Sequence, residues 1–187
     1  MSRPCASLEA MRKLAETNVG RVIDLLNERL AFERTSVRLY DRMLLRMRLA
    51  EDAEIGRMVG RMQRHRDEER EHEEWLEAQI GELRGDGRMP TERSVLVLAE
   101  TQGIERVVHR DPNLSHDFHA LLTAELADTA GWDLLVRIAD EFGDRDAKRE
   151  FRLRNREEVE HVLFVREVVE RFVKRELQDQ PMPATYL

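Results

Sequence analysis

Two short stretches, Glu68-Glu69-Arg70-Glu71-His72 and Glu157-Glu158-Val159-Glu160-His161, hold the side chains best placed to do chemistry in this 187-residue chain. Each contains a Glu-x-x-His step. Residues three apart on a helix share a face, so the carboxylate and the imidazole of each step can point the same way. Oxygen-rich donors with one imidazole each suit iron or manganese. In a chain with 38 acidic residues and six histidines one such step means little, and the surroundings of the two must decide whether they matter.

Those surroundings are helical. Charged residues make up 37% of the chain and aromatics 5%, with nine Gly and five Pro, the composition of long charged helices and an all-α class. The net charge of −7 argues against nucleic acid as a partner. Cys5 is the single cysteine, so no disulfide framework, zinc knuckle or Cys-x-x-Cys site can form within the chain. No apolar run approaches membrane-spanning length and no apolar leader is present, so a cytoplasmic protein without a membrane partner is expected.

Four long helices and a short one are expected within a single domain over residues 1–177. The first runs from about Leu8 to Leu49 behind a loose start (1–6). Its stripe is Val22, Leu26, Leu30, Val37, Tyr40 and Leu44, and Glu33 sits in the middle of it. Asp52 can cap a second helix from about Glu54 to Leu83, whose inward stripe reads Ile55, Val59, Met62, His65, Glu69, His72, Leu76 and Ile80. That stripe is polar in its middle and apolar at both ends, as for a site inside a bundle. The breaker run 85–93 opens a crossover over 84–114 holding a short helix from Ser94 to about His109. Such a connection lets the helices on either side of it run parallel. Ser115 is the expected cap of the next helix, which continues to Phe142 with Phe118, Leu122, Glu125, Trp132, Leu135, Ala139 and Phe142 inward. Gly143 ends it and Asp144 caps the last helix, to about Leu177, with Phe151, Glu158, His161, Val162, Val165, Val169 and Phe172 inward. An extended tail follows over 178–187.

The halves repeat. Leu30, Glu33, Tyr40 and Asp41 match Leu122, Glu125, Trp132 and Asp133 at an offset of 92, and Glu68-Glu69-x-Glu71-His72-x-x-Trp75 matches Glu157-Glu158-x-Glu160-His161-x-x-Phe164 at an offset of 89. Two related hairpins about a pseudo-two-fold axis are implied. From Glu33 to Leu49 is 16 residues and from Glu54 to Glu69 is 15, while the second hairpin has legs of 17 and 14. At about 1.5 Å per residue each leg travels about 21–26 Å and returns to the same height. Glu33, Glu69, His72, Glu125, Glu158 and His161 should therefore meet at one layer.

Four carboxylates in one apolar layer cannot all be ionised without a counter-charge. Two divalent cations supply it, with the imidazoles as further ligands, and a Glu from each of two helices plus a Glu-x-x-His from each of the other two is the arrangement of carboxylate-bridged di-iron or di-manganese bundles. Either Glu69 and Glu158 or Glu33 and Glu125 would bridge. His65, one turn before Glu69, reads as a rim histidine or an extra ligand. Asp128 could accept a hydrogen bond from a ligand imidazole. Lys148, Arg149, Arg152 and Arg154 read as a solvated basic face.

On these residues the chain resembles the ferritin-like superfamily over about residues 20–175, bacterioferritin and rubrerythrin-type domains most nearly. Leu26-Asn27-Glu28 through Leu30, Glu33 and Tyr40 is similar to the first bacterioferritin helix, and Glu69/His72, Glu125 and Glu158/His161 match the other ligand positions. The resemblance implies two iron ions (manganese in the alternative), oxidation of Fe²⁺ by O₂ or peroxide, Tyr40 as a one-electron donor beside the metals with Trp132 its counterpart, and a homo-oligomer. Arg70 stands where a haem-ligating Met would follow the second-helix Glu, so haem is not expected. The Pro-containing tail offers no counterpart of a fifth cage helix, which favours a dimer over a cage. Rubrerythrin's extra third-helix Glu has no match beyond Leu122 or Asp128. The alternatives are a di-manganese catalase, a di-iron oxidase of an organic substrate, or a non-catalytic metal-binding bundle.

Overall fold

A computed structural model describes residues 11–110 and 113–178. These residues form five helices and no strand: α1 (Arg12–Leu49), α2 (Ala53–Glu82), α3 (Glu92–Arg110), α4 (Leu114–Glu141) and α5 (Arg145–Gln178). The all-α expectation holds. The expected loose start, Cys5 and the tail beyond Gln178 lie outside the described residues, and Gln178 itself closes α5. Among the described residues no helix is long and apolar enough to cross a membrane.

Helices α1 and α2 pack as one antiparallel hairpin and α4 and α5 as a second, with α3 lying against α1 and α4. Asp52 caps α2 as expected, its side chain accepting from the N–H groups of Glu54 and Ile55. The cap of α4 is Asn113 rather than Ser115: the Asn113 side chain accepts from the Ser115 N–H, and the Ser115 hydroxyl instead meets Glu176 at 3.0 Å. Gly143 takes φ +67°, a left-handed conformation that glycine enters without a Cβ penalty. Asp144 then caps two helices at once. Its Oδ1 accepts from the Ala147 N–H of α5, and its Oδ2 from the Lys13 and Leu14 N–H groups at the start of α1.

Helix α1 departs from a single rod. Asn18 is extended (φ −164°, ψ 88°) and its side chain accepts from the Arg21 N–H, so the residue stops one helical segment and starts the next.

Two apolar clusters fill the interior, one at each end of the long helices. The first gathers Tyr40, Met43, Met47, Ile55, Met62, Phe118, Leu121, Phe164 and Val165. The second gathers Leu26, Leu30, Leu76, Ile80, Trp132, Leu135 and Phe151. Helices α2 and α4 both begin in the first cluster, so they run in the same sense, as a long crossover permits. Between the clusters the four long helices contribute charged and polar side chains. Phe142, expected inward, follows the last turn of α4 and is exposed.

Candidate metal centre

The layer between the clusters contains all six residues singled out by spacing. Glu33 comes from α1, Glu69 and His72 from α2, Glu125 from α4, and Glu158 and His161 from α5; each is at most 2% exposed. They fall into two overlapping groups. Glu33, Glu69, His72 and Glu158 bring ligand atoms within 4.8 Å of one another, and so do Glu69, Glu125, Glu158 and His161. Glu69 and Glu158 belong to both groups, whereas Glu33 belongs to the first alone and Glu125 to the second alone.

The donor geometry suits cations better than hydrogen bonds. His72 Nδ1 lies 2.8 Å from Glu158 Oε1 and 3.5 Å from Glu33 Oε2. His161 Nδ1 lies 3.1 Å from Glu69, 3.3 Å from Glu158 and 3.5 Å from Glu125. Yet among the described residues Glu33 Oε2, Glu69 Oε2 and both oxygens of Glu125 and of Glu158 meet no donor in good hydrogen-bond alignment. Buried carboxylate oxygens left this way carry a large desolvation cost unless a positive charge answers them. The clusters can hold metal ions, and the residues present fit a dinuclear site.

The outward nitrogens of both imidazoles are also held, and the holders lie across the bundle. His72 Nε2 of α2 meets Glu157 of α5 at 2.9 Å, and His161 Nε2 of α5 meets Glu68 of α2 at 2.9 Å. Carboxylates in this position fix the ring orientation and raise the basicity of a ligating imidazole. The signal was present in the doubled Glu-Glu of each stretch, but the partner of each lies on another helix. Asp128, expected in this role, instead takes Arg29 at 3.1 Å, and both side chains are buried.

The two aromatic residues related by the repeat reach across in the same way. Trp132 Nε1 of α4 donates to Glu33 Oε1 of α1 at 2.8 Å. Tyr40 of α1 is wholly buried with its ring 6.1 Å from that of His161, and burial followed by the Glu125 charge pushes its phenol well above the usual range. His65 is not a rim residue: it is 5% exposed and stacks on His161 with ring centroids 4.4 Å apart. Arg154 also leaves the solvated face assigned to it, for it is buried with its guanidinium 3.6 Å over the Trp75 ring.

Charge is strongly redistributed within the layer. Burial, then the Glu158 and Glu33 charges, pushes Glu69 well above the carboxylate range, and burial raises Glu125 as well. For Glu158 burial is outweighed by His161 and His72, which hold its carboxyl below the usual range. Burial would lower both imidazoles, but Glu157, Glu158 and Glu33 raise His72, and Tyr40, Glu158 and Glu125 raise His161. Burial, the His161 charge and the nearby Arg61 and Arg64 lower His65 to about 3.

No family model matches the chain, and no curated protein matches it. The functional reading therefore rests on the geometry.

Proposed function

We propose that this protein is a dinuclear metal oxidoreductase of ferritin-like architecture, with two iron ions between its hairpins, acting on O₂ or peroxide. The observation that carries the reading is the pair of overlapping four-donor groups that share Glu69 and Glu158. Two redox-active cations held by these residues would supply one electron each, the two that, with two protons from solvent, reduce O₂ to hydrogen peroxide or peroxide to water.

The residues have separable duties. Glu33 with His72, and Glu125 with His161, would close the outer flank of each cation, while Glu69 and Glu158 would span both. Glu157 and Glu68 hold the imidazoles at their outward nitrogens. Trp132 orients Glu33 through its indole N–H. The two apolar clusters keep bulk water from the layer on either side. Tyr40, buried beside the Glu125 flank with its phenol pushed well above the usual range, would give up an electron and a proton together, as the resemblance implies. The resemblance to bacterioferritin and rubrerythrin-type domains supports a homo-oligomer, with a dimer favoured over a cage.

Anaerobic titration with Fe²⁺ should bind two equivalents per chain, and air should then convert both to the ferric state. Binding well under two equivalents defeats the proposal. The same donors accept manganese. Manganese in the protein as purified, with rapid peroxide dismutation, would redirect the reading to a di-manganese catalase. Tyr40→Phe should keep two equivalents while slowing oxidation, whereas an unchanged rate removes Tyr40 from the electron path.

A further inference from the structure

Among the places where the relation between the hairpins breaks, one pair of positions flanks the imidazoles of the metal layer. The offset of 89 that carries Glu69 onto Glu158 carries His65 onto Arg154. Both are buried, and both sit one turn before a shared carboxylate. On the first side the outward nitrogen of His161 meets Glu68, and His65 lies stacked on the same ring. On the second side the outward nitrogen of His72 meets Glu157, and the flanking group is the Arg154 guanidinium, held over Trp75 and 3.4 Å from Glu150. A guanidinium has no lone pair to offer a cation and repels it. An imidazole does the opposite.

We propose that His65, Glu68 and Nε2 of His161 form a further divalent-cation site, present on this side alone, at which a first-row transition metal ion is held before it passes into the dinuclear layer. Ligand atoms of the three residues lie within 4.8 Å of one another. His65 is 5% exposed, and its buried Nδ1 has no hydrogen-bond partner among the described residues, which leaves an imidazole nitrogen uncommitted beside the group. Glu68, whose side chain is 36% exposed, connects the group to solvent. Arg61 and Arg64 also lie near His65; Arg61 has Glu167 at 3.8 Å, a carboxylate it shares with Arg171.

His161 gives the site its direction. Its Nδ1 faces Glu69, Glu125 and Glu158, while its Nε2 faces Glu68. A neutral imidazole has one lone pair, so His161 serves the outer ion or the inner one but not both at once. An ion held outside is released from Nε2 as Nδ1 takes up its inner role. The outer site is thus a way-station and need not stay filled at equilibrium. Its destination rests on the dinuclear reading, whereas its donors do not.

The test uses Co²⁺ alone with the full chain, followed by visible absorption and by equilibrium dialysis. In the Glu69→Gln/Glu158→Gln protein, which lacks the shared carboxylates, one equivalent of Co²⁺ should remain, and adding His65→Leu should remove it. In the otherwise native chain, His65→Leu should still bind two equivalents but fill at least ten-fold more slowly in stopped flow. Arg154→His, which supplies an imidazole beside Glu157 and His72, should accelerate filling. The proposal is overturned if the doubly substituted protein binds no Co²⁺, if its bound ion survives His65→Leu, or if His65→Leu in the otherwise native chain fills at the native rate. Native protein that binds two equivalents while those results appear leaves the dinuclear reading standing; native protein that binds none removes both.

Discussion

Glu69 and Glu158 each face two cation positions, whereas Glu33 and Glu125 face one, and substitutions should divide along that line. Glu69→Gln or Glu158→Gln removes a charged oxygen pair from both positions at once, so inner-site binding should fall below one equivalent per chain. Glu33→Gln and Glu125→Gln each leave one group of donors intact and should retain about one equivalent. Elemental analysis after dialysis against Mn²⁺ or Co²⁺, with each substitution made in the His65→Leu chain so that the outer site does not count, separates these outcomes, and equal losses in all four would show that the carboxylates are not divided into bridging and flanking places. Glu157 acts at one remove. With Glu157→Gln the His72 ring keeps a neutral acceptor but loses the charge that holds its orientation, so affinity should drop by about 10–100-fold while two equivalents still bind at saturation. Loss of a full equivalent would make Glu157 itself a ligand.

At the level of the elements, the helices are held in register by a few long-range polar contacts that no local pattern announces. Arg29 of α1 reaches Asp128 of α4, and its guanidinium lies where a Cβ on Gly131 would stand, only 1.6 Å from Nη1. Gly131→Ala should therefore expel the arginine and strand Asp128, which burial and the Glu33 charge already push well above the carboxylate range. Breaking a buried pair by removing one partner costs about 3–5 kcal/mol. Urea unfolding should register a loss of that order. The repeat places Leu121 and Ser36 at the equivalent positions, so Arg29→Leu with Asp128→Ser should recover most of what Arg29→Leu alone loses. This contact also marks what the sequence left hidden. The meeting of Glu33 with Glu69 and of Glu125 with Glu158 was legible because helical rise is constant: equal legs about a turn return to equal heights. Asp52, Gly143 and Asp144 were legible because caps are local. The pairing of Arg29 with Asp128, of Glu68 with His161 and of Glu157 with His72 depends on how two hairpins rotate against each other, and neither periodicity nor leg length carries that angle. Asn18 was missed for a different reason, since it precedes the stripe that begins at Val22 and its extended conformation shows only in the backbone.

Taken whole, the molecule is two apolar cores separated by a layer that opposes folding until something neutralises it. In the metal-free protein the layer manages its charge with protons. His72, His161, Glu69, Glu125 and Asp128 all have folded pKa values above their ordinary ones. A group raised in this way contributes stability that is fully present below its unfolded pKa, about 4 for the carboxyls and about 6.5 for the imidazoles, and that is lost as pH climbs toward the folded value. Glu158, held low by the imidazoles, works in the other direction and loses its contribution on acidification. His65, lowered to about 3 by burial, likewise loses its contribution as pH falls below about 6.5, but five raised groups against these two lowered ones mean that the metal-free chain should melt at a lower temperature at pH 8 than at pH 5. Cation binding reverses the trend. Ligands must shed those same protons to bind, so affinity rises over the interval in which the metal-free fold weakens. At a free cation concentration a thousand times its Kd, one site adds about 4 kcal/mol, and for a chain of this size each kcal/mol is about 2–4 °C. Melting curves with EDTA and with Mn²⁺ at pH 5, 6, 7 and 8 should accordingly diverge, with the gap smallest at pH 5 and exceeding about 8 °C at pH 8. A gap that stays constant across the series would mean that the buried protons and the cations do not compete for the same carboxylates and imidazoles, and the layer would then be a proton-satisfied core rather than a metal centre.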